Sequence, residues 1–172
     1  MDIGTGCGDI AISLTKYIPS SRMVATDISG TALRIAGKNA SKYGVENRIE
    51  FIKSNLFNGI ERTHFCDFFD LIISNPPYVS LEDIASLSAE TKEDPYIALY
   101  GGRDGLDFYR RIIGASHMFL KENGILLMEM GYNQSEDIKA MLDKSGIFQA
   151  IEIYKDYSGI NRIIKALKWK SL

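Results

Sequence analysis

The chain of 172 residues is long enough for a domain with a hydrophobic core, and its 45% hydrophobic and 24% charged residues are ordinary for a globular protein. A formal net charge of −2 argues against general nucleic-acid binding, which usually needs a basic surface. Residues 1–20 do not resemble a secretory signal, and no apolar run approaches the ~18 residues that span a bilayer. Two cysteines and two distant histidines form no metal-ligand pattern. We therefore expect one domain over residues 1–172, in the reducing cytoplasm.

Apolar periodicity predicts an alternation of strands and helices. The predicted strands cover residues 1–3, 23–27, 49–52, 68–73, 124–130, 148–154 and 162–167. The predicted helices cover residues 10–18, 30–43, 107–120 and 134–144. Residues 56–66 are expected to be irregular, and residues 79–105 to form a long connection with at most one helical turn near 82–88. A connection of that length inside a compact domain is usually functional.

The order of these elements predicts the fold class. Strands that alternate with helices indicate a mostly parallel, doubly wound α/β sheet, because parallel neighbours need a helical crossover. The last two strands are joined too closely for a crossover, so they should form an antiparallel hairpin. The first strand has only residues 1–3 before a glycine turn, whereas an average strand has ~5–6 residues. We therefore expect a seven-stranded sheet whose first strand is truncated.

The turn over residues 4–8 follows that first strand and contains three alternating glycines. Glycines at such a turn allow positive φ and let the backbone approach a ligand closely. A nicotinamide fingerprint would place its third glycine one residue later, where this chain has Asp9. The acid before the turn, Asp2, suits an amino-acid-like ligand, and the pattern resembles the S-adenosylmethionine motif. A strand-to-helix turn that merely needs glycine remains the alternative. The candidate cofactor-binding residues here are Asp2, Gly4, Thr5, Gly6, Cys7 and Gly8.

Polar residues also end the second and third predicted strands. Asp27 lies about 20 residues beyond the turn, where an acid can accept both ribose hydroxyls, and Ile28 follows it. Asn55 closes the third strand and could reach an adenine edge, while Leu56 and Phe57 could sandwich the ring. The alternatives are a helix cap for Asp27, and a polar strand end followed by core residues for the other three. Parallel strands bring these positions to one edge of the sheet.

The fourth strand ends at the sequence Asn75-Pro76-Pro77-Tyr78. Neither proline has an N–H to donate, so the strand must stop there in a stiff turn. Asn75 offers an amide oxygen and two N–H groups on this support, and the carbonyl of Pro76 is free of helix or sheet pairing. The turn is therefore predicted to bind a planar group that carries an NH2. A rigid turn without chemistry is the alternative.

Four further segments, together with this turn and the preceding cofactor edge, carry a family resemblance. They are residues 94–99, residues 101–110, the sequence Glu-Met-Gly-Tyr-Asn-Gln at 129–134 and the sequence Asp-Tyr-Ser-Gly-Ile-Asn-Arg at 156–162. With them the chain resembles the release-factor glutamine methyltransferase family (HemK/PrmC type) over essentially its whole length. The resemblance implies a Rossmann-like class I S-adenosylmethionine-dependent methyltransferase.

That resemblance implies methylation of the glutamine side chain in the Gly-Gly-Gln motif of peptide-chain release factors. S-adenosylmethionine would be the methyl donor and S-adenosylhomocysteine the product. Asn75 would contact both cofactor and substrate, and Asn75, Pro76 and Tyr78 would be the catalytic group. Residues 75–78, including Pro77, would bind the substrate glutamine. A release factor is thus the expected partner, with no membrane and no direct nucleic-acid contact.

The sequence departs from the family pattern at several places. Asn55 stands where the family usually has aspartate, and Asp94-Pro95 stands where it usually has Glu-Pro. The family's N-terminal helical domain and the segment before its first strand are not in this sequence, so we expect the catalytic domain only. Two alternatives stay open: an adenine-N6 or guanine-N2 methyltransferase acting on nucleic acid, and a fragment that binds cofactor without turnover.

Overall fold

The computed structural model describes residues 1–87 and 95–169. Its strands are β1 (Asp2–Ile3), β2 (Met23–Asp27), β3 (Ile49–Lys53), β4 (Phe69–Ser74), β5 (Leu120–Glu129), β6 (Phe148–Lys155) and β7 (Asn161–Lys168). Its α-helices are α1 (Asp9–Tyr17), α2 (Gly30–Lys42), α3 (Arg62–Phe65), α4 (Leu81–Ile84), α5 (Tyr96–Leu99), α6 (Asp107–Ser116) and α7 (Ser135–Ser145). A short 3-10 helix, Glu46–Arg48, leads into β3.

The strands form one seven-stranded sheet in the order β3-β2-β1-β4-β5-β7-β6. Pairing is parallel from β3 to β5, and β7 is antiparallel to both of its neighbours. The predicted mostly parallel α/β sheet with a C-terminal hairpin is therefore confirmed. The hairpin arises because the turn between β6 and β7 is too short for a crossover connection.

Two hydrophobic clusters cover the two faces of the sheet. Val24 belongs to one cluster and its neighbour Ala25 to the other, and successive strand residues point to opposite faces. Residues of α6 and α7, such as Ile112 and Leu142, are fully buried in the first cluster. Residues of α1 and α2 lie in the second. The sheet is therefore the middle layer between helices.

The structure differs from the predicted elements before β4, around the start of β5 and in the long connection. A short helix, α3, occupies part of the segment expected to be irregular. In addition, α6 ends at Ser116 and β5 begins at Leu120, earlier than predicted. Leu120 is fully buried and pairs with Phe69 on β4. The polar run at 121–123 hides this pairing in the sequence, since a strand partner is a tertiary property.

The long connection contains more local structure than expected. Helix α4 forms near the predicted turn but starts at Leu81, and α5 follows at Tyr96. Residues 88–94, which include Asp94 of the family motif, lie outside the described residues. Within the part of the chain that the structure describes, no helix has the length and apolar character needed to cross a membrane.

Candidate active site

The ends of the parallel strands form one row across the sheet. Ile3 on β1 is in register with Thr26 on β2 and with Ser74 on β4, and Ser74 is in register with Met128 on β5. The following residues therefore leave their strands side by side at one edge. This edge, which we call the site edge, carries the turn at 4–8, Asp27, Asn75 and Glu129. Ligands of open α/β sheets bind at this carboxyl edge.

The turn at 4–8 needs its glycines for two different reasons. Gly4, Gly6 and Gly8 have φ of 71°, 56° and 92°, a region that L-residues with side chains rarely adopt. A Cβ at Gly8 would lie 2.9 Å from Ile12 Cδ1 and 3.1 Å from Ala36 Cβ, so this glycine also permits close packing of α1 and α2. A Cβ at Gly4 or Gly6 would meet nothing within 4 Å. Space is therefore left in front of the turn at these two positions.

Asp2 lies beneath this turn and is fully buried. Its Oδ2 accepts a hydrogen bond from the Thr5 hydroxyl at 2.6 Å and another from the Ala11 N–H at 3.2 Å. Its Oδ1 is buried and has no hydrogen-bond partner among the described residues. Burial raises the pKa of Asp2 to about 6. An unpaired buried carboxylate oxygen is costly, so an N–H donor or a positive charge that reached it would be favourable.

Asp27 closes β2 and orders the turn. Its Oδ2 accepts from the Gly6 N–H at 2.9 Å and its Oδ1 from the Ser29 N–H at 2.8 Å. It does not cap α2, because the Ser29 hydroxyl does so by accepting from the Ala32 N–H at 3.2 Å. Each carboxylate oxygen keeps a free lone-pair direction for a hydroxyl. The side chain of the next residue, Ile28, is 43% exposed and offers an apolar surface beside it.

The residues after β3 separate into two environments. Asn55 is exposed, and its Oδ1 accepts from the Arg111 guanidinium at 2.8 Å. Leu56 has φ of 53° and is partly buried, whereas Phe57 is 8% exposed and stacks on Phe119 with ring centroids 4.8 Å apart. The structure thus corrects the predicted ring sandwich: Phe57 belongs to the core, and only Leu56 remains near the edge. Leu56 packs against the same core cluster but remains partly exposed.

Asn75 stands at the centre of the site edge and is exposed. The strand before it is fixed, because buried Ser74 donates its hydroxyl to the Ile3 carbonyl at 2.8 Å. Pro76 is buried and anchors the turn. Among the described residues, no hydrogen bond uses the Asn75 side chain or the Pro76 carbonyl. Neither acceptor is used by the fold within this part of the chain, and whether a ligand uses them stays a prediction.

Tyr78 ends the turn and is half-buried. Burial raises the pKa of its hydroxyl, and the nearby Glu129 carboxylate adds to the effect. Its carbonyl accepts from Gln134 Nε2 at 2.9 Å. A Cβ on Gly131 would lie 2.8 Å from Tyr78 Cδ2, so the ring packs directly on the backbone after β5. Tyr78 therefore forms one wall of the site edge.

The segment at 95–105 supports the same turn from the outside. Val79 pairs with Tyr100 in a single β-bridge. The Val79 N–H donates to the Leu99 carbonyl and the Gly101 N–H to the Val79 carbonyl, each at 2.9 Å. A Cβ at Gly101 would come within 2.7 Å of the Pro77 carbonyl. Glycine at this position lets the segment lie against the proline turn.

Sequence reasoning assigned no role to Gln134 or Gly105, although both fall inside the segments that carried the family resemblance. Gln134 bonds to Tyr78, as described above, and also to the Gly105 carbonyl at 3.3 Å. The available signal was a glutamine at the very start of the predicted helix 134–144, where Ser, Thr, Asp or Asn is preferred. Glu129 is half-buried at the end of β5, and burial raises the pKa of its carboxyl.

Two curated relatives illustrate what the chain is similar to. The bifunctional methyltransferase of Rickettsia felis is 41% identical over 165 residues, which are 95% of this chain and 30% of that protein. The release factor glutamine methyltransferase of Agrobacterium fabrum is 39% identical over 165 residues, which are 95% of this chain and 55% of that protein. The chain therefore spans about half, or less, of the length of these relatives.

One solved structure shares the fold of the chain, and one family model identifies its family. The crystal structure of a methyltransferase from Pyrococcus furiosus superposes with a TM-score of 0.71 at 17% identity, covering 99% of this chain and 75% of that one. At this identity the likeness concerns the fold alone. The Methyltransferase small domain family (MTS) matches residues 1–91, more than half of the chain, including the glycine turn and the turn at 75–78. The chain therefore belongs to the methyltransferase small domain family.

Proposed function

We propose that this chain transfers a methyl group from S-adenosylmethionine to the side-chain nitrogen of a glutamine, in the Gly-Gly-Gln motif of a peptide-chain release factor. One observation carries the proposal: the exposed Asn75 amide and the Pro76 carbonyl, without partners among the described residues, lie on a fixed turn beside the glycine turn. The similarity to the release factor glutamine methyltransferase of Agrobacterium fabrum supports the choice of substrate. The reaction would take place in the cytoplasm, where release factors act.

The residues of the site edge fit S-adenosylmethionine. The unpaired Asp2 Oδ1 would face its ammonium group, and the open space over Gly4 and Gly6 would admit its methionine part. Asp27 would accept the ribose hydroxyls through its free lone pairs, with Ile28 against the base. Further contacts are proposed from Thr5, the Cys7 backbone, Gly8, Asn55, Leu56 and Asn75. When bound, the cofactor supplies the methyl group and leaves as S-adenosylhomocysteine.

The turn at 75–78 would hold the glutamine amide for the transfer. The Asn75 side-chain oxygen and the Pro76 carbonyl each accept one N–H of the substrate, which fixes the nitrogen and stabilises the positive charge that develops there. Tyr78 packs on the amide plane, and Pro77 keeps the turn rigid. Holding reactants in line can supply roughly 7–11 kcal/mol of the barrier. No strong base is required, because the nitrogen loses its proton readily once it carries the methyl group.

Replacement of Asn75 by alanine tests this role. Because the variant removes one substrate acceptor but leaves the glycine turn intact, we expect methyl transfer to a release factor to fall at least about 100-fold. The affinity for S-adenosylmethionine, measured by calorimetry, should fall only a few-fold. The matched control is Asn47→Ala, an exposed asparagine in the 3-10 helix away from the site edge. Transfer by Asn75→Ala at the wild-type rate would refute the assignment.

The same experiment separates the alternatives. Transfer to RNA or DNA but not to the release factor would favour a nucleic-acid methyltransferase that extrudes its target base. Cofactor binding without transfer to any of these substrates would favour a domain that binds cofactor only. Methyl transfer to the release factor, to RNA and to DNA is measured with the wild-type chain under one set of conditions. Each outcome then supports one of the three functions.

A further inference from the structure

Gln134 precedes helix α7 at the N-cap position, but its side chain does not cap that helix. Glutamine is also uncommon at an N-cap, where a short polar side chain reaches the helix amides better. The residue is partly buried. Its carboxamide points away from α7 and toward the turn at 75–78 and the loop at Gly105. The side chain is therefore used for something other than the helix it precedes.

The carboxamide of Gln134 connects three separate segments. Its Oε1 accepts from the Gly131 N–H at 3.0 Å. Its Nε2 donates to the Tyr78 carbonyl at 2.9 Å and to the Gly105 carbonyl at 3.3 Å. This arrangement requires one acceptor and two donors in a planar group, which an amide has and a carboxylate lacks.

The backbone at Gly105 and Gly131 lies close to the Gln134 carboxamide and leaves no space for a side chain at either glycine. A Cβ at Gly105 would lie 2.7 Å from Gln134 Nε2 and 2.4 Å from the Tyr78 carbonyl oxygen, and Gly105 has φ of 76°. A Cβ at Gly131 would lie 2.8 Å from Gln134 Oε1. Two glycines thus flank the carboxamide, so the contact depends on both partners having no side chain.

We propose that Gln134 is a positioning residue for methyl transfer, because it fixes the far end of the turn that holds the substrate amide. The Ser74 hydroxyl fixes the near end on the Ile3 carbonyl, and Gln134 fixes the Tyr78 carbonyl. Asn75, Pro76 and Pro77 lie between these two hydrogen-bonded positions. A misplacement of about 1 Å at such acceptors can cost about 100-fold in rate. The inference rests on the proposed function, since it concerns the same turn.

The variant Gln134→Glu tests the hydrogen bonds with almost no change in volume. A carboxylate can still accept from Gly131 but would place its second oxygen against two carbonyl oxygens. At pH 8 we expect kcat for transfer to fall about 10- to 100-fold, with the KM for the release factor and the affinity for S-adenosylmethionine changed less than about 3-fold. At lower pH a protonated carboxyl regains a donor, so the ratio of variant to wild-type rate should rise as the pH falls from 8 to 5.5.

A second readout does not need activity. The N–H groups of Val79 and Gly101 are bonded within the support of the turn, and their hydrogen exchange should become faster in Gln134→Glu at pH 8. The control is Gln149→Glu, on the edge strand β6, which adds the same charge elsewhere. If Gln134→Glu does not fold, the same measurements are made on Gln134→Asn, which keeps the amide but shortens its reach. For this variant the ratio of variant to wild-type rate should be low at every pH.

The outcomes separate the inference from the proposed function. A wild-type chain that methylates no glutamine would refute the proposed function, while the exchange measurement still decides whether Gln134 holds the turn. Unchanged hydrogen exchange at Val79 and Gly101 in the variant would show that Gln134 does not hold the turn. A kcat equal to that of wild type, a loss confined to KM, or a loss in Gln134→Glu that does not recover at low pH would overturn the positioning role.

Discussion

At the scale of single residues, Asp2 shows how binding can conflict with stability. Its carboxyl is fully buried, and one of its oxygens has no partner among the described residues. Desolvation raises its pKa to about 6 from the model-compound value of 3.8. The folded state therefore binds a proton more tightly than the unfolded state between these two pH values. It follows that Asp2 makes the ligand-free fold less stable as the pH rises from about 4 to 6.

We predict that Asp2→Asn stabilises the ligand-free chain at pH 8 but weakens cofactor binding. The amide keeps an acceptor for Thr5 and Ala11 and removes a buried charge, but its NH2 group replaces Oδ1 without a new partner, so the free energy of unfolding should rise by only about 0–2 kcal/mol. The affinity for S-adenosylmethionine should fall at least about 10-fold, because the variant lacks the carboxylate that we propose for binding the ammonium group. Urea unfolding at pH 5 and 8 and calorimetry measure the two effects.

The control for this variant is Glu122→Gln, which neutralises an exposed acid in β5 away from the site edge. It should change neither quantity by more than about 0.5 kcal/mol. If Asp2→Asn bound the cofactor as tightly as the wild-type chain does, the assignment of Asp2 to the cofactor would be wrong.

At the scale of elements, the alternating glycines of the turn between β1 and α1 have different surroundings. Gly8 has both a positive φ and a close approach to α2, whereas Gly6 has a positive φ and open space. The first is therefore required by the fold, and the second leaves access for a ligand. These requirements are independent, since they concern different sides of the same turn.

We predict that Gly8→Ala lowers the free energy of unfolding by about 2–4 kcal/mol, from the left-handed backbone together with the clash against Ile12 and Ala36. Gly37→Ala is the matched control, since Gly37 lies within α2 and a Cβ there meets nothing within 4 Å. That control should be neutral or stabilising by up to about 1 kcal/mol. Equal stability of the two variants would contradict the packing role of Gly8.

The sequence predicted the strands and helices correctly where a strong local signal existed. The apolar runs of β2 and β4 are local, and their positions were predicted to within about one residue. The start of β5 was missed because Leu120 is recognised as a strand residue only through its pairing with Phe69. Similarly, the core position of Phe57 depends on its stacking on Phe119, and two of the three contacts of Gln134 join it to segments far away in sequence.

At the scale of the whole molecule, the strand order brings residues that are far apart in the sequence together at the site edge. The central position of β1 between β2 and β4 brings the glycine turn next to both Asp27 and Asn75, which are 48 positions apart in the sequence. The same order places the end of β5 beside the proline turn. The proposed methyl-donor site and the proposed amide-binding turn thus lie on one edge, and this juxtaposition supports the proposal of glutamine methylation better than either motif alone.

The most direct test of this account locates the transferred methyl group. The wild-type chain is incubated with S-adenosylmethionine and a release factor, and the products are fragmented in a mass spectrometer. We predict one methyl group on the side-chain nitrogen of the glutamine in the Gly-Gly-Gln motif, and none on a release factor whose glutamine is replaced by asparagine. A methyl group at any other residue, or methylation of nucleic acid alone, would contradict the account.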